Sequence, residues 1–143
     1  MSLRVFVLNG VNLGALGHRQ PEIYGTLTLN DIEKLLRNEF SSVNFEFRQT
    51  DHEGEMVDFI RESVGSAGLI INPGAWTHYS YALHDALEAV DILKIEVHLS
   101  NVHAREGWRR VSVISPAVDA VVAGMGAYGY RAAVEYVIER SKG

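Results

Sequence analysis

Cysteine is missing from the chain altogether, which removes disulfides, thiolate nucleophiles and sulfur ligands in one stroke. Such a composition suits a reducing compartment, and a cytoplasmic location is expected. Basic charge is scarce too: 13 Lys and Arg stand against 18 Asp and Glu, a formal charge of −5. A nucleic-acid footprint would need the opposite balance with clustered cations, so no nucleic-acid partner is expected. Arg105, Arg109 and Arg110 form the basic cluster of note, and a solvated surface run is the plain account of it. Apolar runs fall short of the roughly 18 residues that a membrane span needs, and Met1-Ser2-Leu3-Arg4-Val5 enters a strand pattern at once, without the apolar stretch of a signal peptide. Neither a membrane nor export is expected. Low-complexity segments are absent, and 47% apolar with 22% charged residues fits a globular protein. We expect one domain over 1–143, large enough to bury a core without staples.

Several chemical signatures are absent as well. The six histidines include no His-Glu-x-x-His, and His98 and His103 stand five apart in a loop, so no metal site is expected. No Gly-x-Ser-x-Gly elbow is found, which argues against a serine hydrolase of the α/β type.

What is present is strict alternation. Arg4–Leu8, Val43–Arg48, Gly68–Asn72, Leu93–Val97 and Val118–Ala123 read as short, β-branched-rich strands. Helical patterns lie between them. Thr28 followed by Asp31 resembles a capping box opening a helix to about Phe40, with Ile32, Leu35, Leu36 and Phe40 at core spacing. Further helices are predicted over 54–66, with Val57, Ile60 and Val64 inward, over 80–90 and over 128–140. This pattern predicts an α/β fold: a flavodoxin-like five-stranded parallel sheet of order 2-1-3-4-5, with helices on both faces. Ligands in such sheets sit beyond the carboxyl ends of the strands, at the switch point between the first and third.

The loops expected there carry the polar residues that stand out. From Leu8 to Gly25 the chain spends about 18 residues where two to six are usual, which suggests a lid or binding loop bearing Asn12, Arg19 and Tyr24. A guanidinium near the phenol favours the phenolate; a surface loop with an ordinary tyrosine is the plainer alternative. Glu96, His98 and Ser100 alternate, so an extended chain points them to one side. A carboxylate two residues from an imidazole can orient it, and His98 can then act as a general acid. Asn72-Pro-Gly-Ala-Trp-Thr-His78 offers Asn72 and free backbone N–H groups for hydroxyls or a carboxylate, or is simply a capped helix start. Gly124-Met-Gly-Ala-Tyr-Gly129 is a literal Gly-x-Gly-x-x-Gly. The dinucleotide fingerprint also needs an acidic residue about 20 positions on, at the end of a second strand. Close helix-to-strand packing explains these glycines better. A non-catalytic nucleotide-binding module would need them for a ligand, and a receiver domain would need an Asp where Asn72 stands.

Taken in order, Asn9-Gly-Val-Asn-Leu13, Leu16-Gly-His-Arg-Gln-Pro-Glu-Ile-Tyr-Gly25, Asn72-Pro-Gly-Ala-Trp-Thr-His78 and Ile95-Glu-Val-His-Leu-Ser-Asn-Val-His-Ala-Arg105 resemble the type II 3-dehydroquinate dehydratases nearly end to end. Departures are Val11 where the family usually has Pro, Trp76 for Tyr or Leu, and His84 for Arg. The resemblance implies anti elimination of water from 3-dehydroquinate through an enolate, without metal, Schiff base or cofactor, in the shikimate pathway or in quinate breakdown. It implies Tyr24 as the base with Arg19 supplying its positive charge, Asn12 at the enolate, and His98 oriented by Glu96 as the acid. Asn72, His78 and Arg109 would hold ring hydroxyls, and Leu99 with Ser100 the carboxylate. Asp85 would reach the site of an adjacent subunit, in trimers assembled into a dodecamer.

Overall fold

The computed structural model describes residues 3–143. Five strands, β1 (Arg4–Asn9), β2 (Asn44–Gln49), β3 (Gly68–Asn72), β4 (Lys94–His98) and β5 (Ala120–Ala123), form one parallel sheet in the order β2-β1-β3-β4-β5. The expected flavodoxin-like topology is therefore the observed one, with strand limits within two residues of those read from the sequence.

Alternation in the central strands builds two cores. Val5, Val7, Ile70, Ile95 and Val97 face one side, against Ile32 and Leu36 of α2 (Leu29–Glu39) and Tyr130, Ala133, Val134 and Val137 of α5 (Tyr128–Ser141). Phe6, Leu8, Leu69 and Ile71 face the other, against Met56 and Ile60 of α3 (Glu53–Glu62) and Leu83 and Leu87 of α4 (Tyr81–Glu88). Each such side chain taken out of water contributes about 1.5–3 kcal/mol, which is what fixes the helices to their faces. The capping box is made as expected: the Thr28 hydroxyl accepts from the Asp31 N–H at 3.1 Å, and the Asp31 carboxylate from the Thr28 N–H at 3.0 Å.

Two apolar residues expected inward lie outside. Leu35 is 51% exposed, because the buried stripe of α2 runs through Ile32 and Leu36 and turns Leu35 to its margin. Val64 is 55% exposed, because α3 ends at Glu62 and the helical phase does not continue into the turn that follows. The long loop after β1 also contains an unforeseen single helical turn, α1 (Pro21–Tyr24). Pro21 presets its first residue. Gln20 before it is left-handed at φ 39°, and Gly25 after it takes φ 84°.

The ladders level the site. Asn9 stands opposite Asn72, Ile71 opposite Glu96, and His98 opposite Ala123, so the polar ends of β1, β3 and β4 finish side by side. Gly10 permits this closeness: a Cβ there would lie 2.6 Å from the Pro73 carbonyl oxygen and 2.9 Å from the Trp76 ring. Gly10→Ala is expected to cost about 1–3 kcal/mol through overpacking and to lower the melting temperature by roughly 3–10 °C, read by thermal unfolding.

Candidate active site

At the end of β4 the two-residue spacing of Glu96 and His98 puts both side chains on one side, and they meet: His98 Nε2 lies 2.5 Å from Glu96 Oε2. Glu96 has no exposed surface and His98 almost none. A carboxylate can only accept, so every neighbour of Glu96 donates. Thr77 Oγ1 gives its proton to Oε2 at 2.5 Å and Ser115 Oγ gives its own to Oε1 at 2.6 Å. Having given its proton away, Thr77 accepts from Ser112 Oγ at 2.7 Å, and Ser112 accepts in turn from the Ile114 and Ser115 N–H groups. The chain of hydrogen bonds has one direction and ends on the carboxylate. Burial alone would push the Glu96 carboxyl up, but the hydrogen bonds from His98, Ser115 and Thr77 outweigh it and hold it below the ordinary value. Because Nε2 is committed to Glu96, Nδ1 is the nitrogen that His98 presents to a ligand.

Facing it is the long loop. Arg105 Nη1 donates to the Tyr24 hydroxyl at 2.8 Å, and the Arg19 guanidinium lies over the Tyr24 ring, 4.8 Å from its centre. Two guanidinium groups thus lie beside Tyr24, Arg19 as expected and Arg105 in addition. Arg105 holds the oxygen, and Arg19 covers the face. Arg105, read from the sequence as surface charge, is only 12% exposed in its side chain. Its signal lay in the Ile95–Arg105 motif that ends on it, but nothing local pairs it with a residue 81 positions away.

A cavity of about 40 Å³ lies between these groups. Asn12, Arg19, Tyr24, Asn72, His78, His98, Leu99, Ser100 and Arg109 all line it, with Arg105 and Val11. Glu96 sits behind His98, as an orienting group must. Ser100 reaches the cavity, though β4 ends at His98, so strand alternation does not place it there. Asn12 is left-handed, φ 68°, and its N–H is held by Asp51 Oδ1 at 2.9 Å. His78 gives its Nδ1 proton to the Val111 carbonyl at 2.7 Å, leaving Nε2 as an acceptor. Burial, with the positive charges of His98 and Arg109, lowers the His78 pKa below its ordinary value and keeps the ring neutral. Arg109 is braced by Glu106 at 2.8 Å and stacks on Trp108. The Leu99 carbonyl is taken by the Gly126 N–H, so its own N–H is what it can offer. Asp85 is elsewhere, in a groove between α3 and α4. Among the described residues no group of three or more His, Asp or Glu side chains is placed to hold a metal ion. No helix of the described residues is long and apolar enough to cross a membrane.

Fold and site together place the chain among flavodoxin-like enzymes. Residues 3–138 match the family described as Dehydroquinase class II. The chain is 49% identical to a 3-dehydroquinate dehydratase of Bartonella henselae, with 98% of this chain and 97% of that protein covered. It is 46% identical to a catabolic 3-dehydroquinase of Verticillium alfalfae, over 99% and 97%. A crystal structure of type II dehydroquinase from Propionibacterium acnes superposes with a TM-score of 0.91 at 42% identity, covering 96% of this chain and 97% of the other. The chain belongs to the class II dehydroquinase family, and its class of reaction is that of a hydro-lyase.

Since Glu96 is held below the ordinary 4.5 in the folded protein, the stability its ionisation contributes is present above that value and is lost as pH falls through the folded one. In urea unfolding, the advantage of wild type over Glu96→Gln is expected to shrink steadily as pH is lowered below about 4.5. A difference independent of pH would contradict the buried ionised state.

Proposed function

We propose that this chain dehydrates 3-dehydroquinate to 3-dehydroshikimate by anti elimination through an enolate. One observation carries the reading: a single cavity holds a phenol beside two guanidinium groups and an imidazole on a buried carboxylate. A phenol and an imidazole facing one cavity are the two proton-handling groups that an elimination needs as base and acid.

Tyr24, as phenolate, removes the proton from the carbon beside the ketone. The developing enolate oxygen is met by Asn12, directly or through a water that it holds. His98, as imidazolium, gives its Nδ1 proton to the leaving hydroxyl, which departs as water, while Glu96 balances the positive ring. The proton taken by Tyr24 then returns to His98 through solvent, and the enzyme is restored. Asn72, His78 and Arg109 hold ring hydroxyls; neutral His78 does so as an acceptor at Nε2. The Leu99 N–H and Ser100 receive the carboxylate. Binding sites for small molecules measure about 300–1,000 Å³ and the space between these groups about 40 Å³, so in this reading the Arg19–Tyr24 loop lifts for substrate to enter.

The physiological setting we assign is aromatic biosynthesis in the shikimate pathway, in the cytoplasm, by a single catalytic domain. The lack of cysteine supports the compartment. We also assign trimers assembled into a dodecamer. The position of Asp85, away from its own cavity, suits a carboxylate that serves a neighbouring copy. Light scattering checks the mass.

The conjugated enone formed on dehydration absorbs in the ultraviolet and provides the assay. Tyr24→Phe and His98→Ala are each expected to lower kcat by roughly 10²- to 10⁴-fold with circular dichroism unchanged. Near-normal turnover in either variant would remove the role given to that residue. Arg105→Met, which takes the donor from the phenolic oxygen, is expected to lower kcat by about 10²-fold or more.

A further inference from the structure

The glycine motif at 124–129 serves no nucleotide in this reading, yet its last glycine has a strict job. A Cβ on Gly129 would lie 3.3 Å from the Cγ1 methyls of both Val97 on β4 and Val122 on β5. Glycine therefore lets the first turn of α5 rest directly on the sheet. The consequence falls on the next residue. Tyr130 is wholly buried, and its hydroxyl reaches the carboxyl ends of β1 and β3, where it donates to Asn9 Oδ1 at 2.5 Å and accepts from Asn72 Nδ2 at 3.0 Å. Asn9 and Asn72 are register partners, so one phenol ties together the two strand ends that flank the switch point.

Asn72 is the partner that matters for chemistry, since it lines the catalytic cavity. Its Oδ1 accepts from the Gly74 N–H at 3.1 Å, and one Nδ2 proton goes to Tyr130. An amide has two Nδ2 protons. With Oδ1 and one proton committed, the other proton is the group left for a ligand, and the amide cannot flip without losing both bonds. Burial pushes the Tyr130 phenol far above its ordinary value, so it keeps its proton at every working pH.

We propose that Tyr130 is a positioning residue for substrate binding: from α5, through the sheet, it fixes the side-chain amide of Asn72 so that one N–H stands ready for a substrate hydroxyl. The inference rests on Asn72 being a substrate-holding residue in the proposed reaction. It differs from a packing role, because Tyr130→Phe keeps the ring and removes only the oxygen.

Steady-state kinetics with 3-dehydroquinate test it. Tyr130→Phe is expected to raise KM about tenfold, with kcat within about twofold and an unchanged pH profile. An unchanged KM, whatever the change in melting temperature, would overturn the inference. Should Tyr130→Phe fail to fold, Asn9→Ala decides in its place: it frees the Tyr130 proton to turn toward Asn72 and is expected to raise KM several-fold, and an unaltered KM would again overturn it. The side-chain amide resonances of Asn72 give a reading independent of turnover. In wild type one of the two Nδ2 protons is expected to exchange with solvent much more slowly than the other, and the difference should vanish in Tyr130→Phe; equal exchange in wild type would sink the proposal. Absence of turnover in wild type would instead dismiss the reaction, leaving the amide measurement to judge Tyr130 by itself.

Discussion

A carboxylate with no exposed surface makes heavy demands on its neighbours. Removing the charge of Glu96 from water costs several kcal/mol unless each of its oxygens finds good donors. Three donors meet that demand, and they come from three separate segments: His98 from β4, Thr77 from the turn after β3, and Ser115 from the turn before β5. Ser112 extends the tie to the loop that also carries Arg109. The turns after β3 and before β5, and the loop that carries Arg109, are therefore held to one anion. Their arrangement around the cavity is a consequence of satisfying it, and the orientation of the His98 ring is part of the same balance.

The direction of those bonds has a chemical meaning. Since the hydroxyl chain delivers its protons toward Glu96, the carboxylate is kept as an acceptor and cannot compete with Nδ1 of His98 for a proton to give away. On the opposite wall the polarity is reversed. Arg105 donates to the Tyr24 hydroxyl and Arg19 lies over its ring. Neither wall alone would make a catalyst of the type proposed.

Legibility followed the range of the interaction. Strands, their order and the Glu96–His98 pair could be read from the sequence because β-branched runs, strict alternation and a spacing of two are local signals. The capping box of Thr28 and Asp31 was legible for the same reason. Leu35 and Val64 were misplaced because a periodic pattern does not say where a stripe ends or a helix stops. Arg105 was hidden more deeply. Its partner Tyr24 is 81 residues away, and a guanidinium in a run of basic residues looks the same whether it is solvated or turned inward on a phenol. Tyr130 and Asn9 were hidden likewise: nothing near either residue announces a hydrogen bond across 121 positions. Resemblance to a family supplied the roles of Asn12, Asn72, His78 and Arg109, which periodicity and spacing would have left as loop residues.

The lid and the sheet end differ in how they are held, and the difference suits their tasks. Glu96, His98, Asn72 and Tyr130 are locked by buried hydrogen bonds in which every exchange of partner leaves a polar atom unsatisfied, so this half is preorganised. The loop bearing Arg19 and Tyr24 is punctuated by left-handed Asn12 and Gln20 and by glycines at positive φ, Gly17 and Gly25. Left-handed backbone at non-glycine residues is sparsely populated and is kept only where surroundings impose it; at Asn12 the imposing group is Asp51. A cavity of about 40 Å³ holds little more than a water molecule or two, so the proposed reaction calls for the Arg19–Tyr24 segment to give way to substrate. Arg19 rests on the ring of Tyr24, and Arg105 meets its hydroxyl.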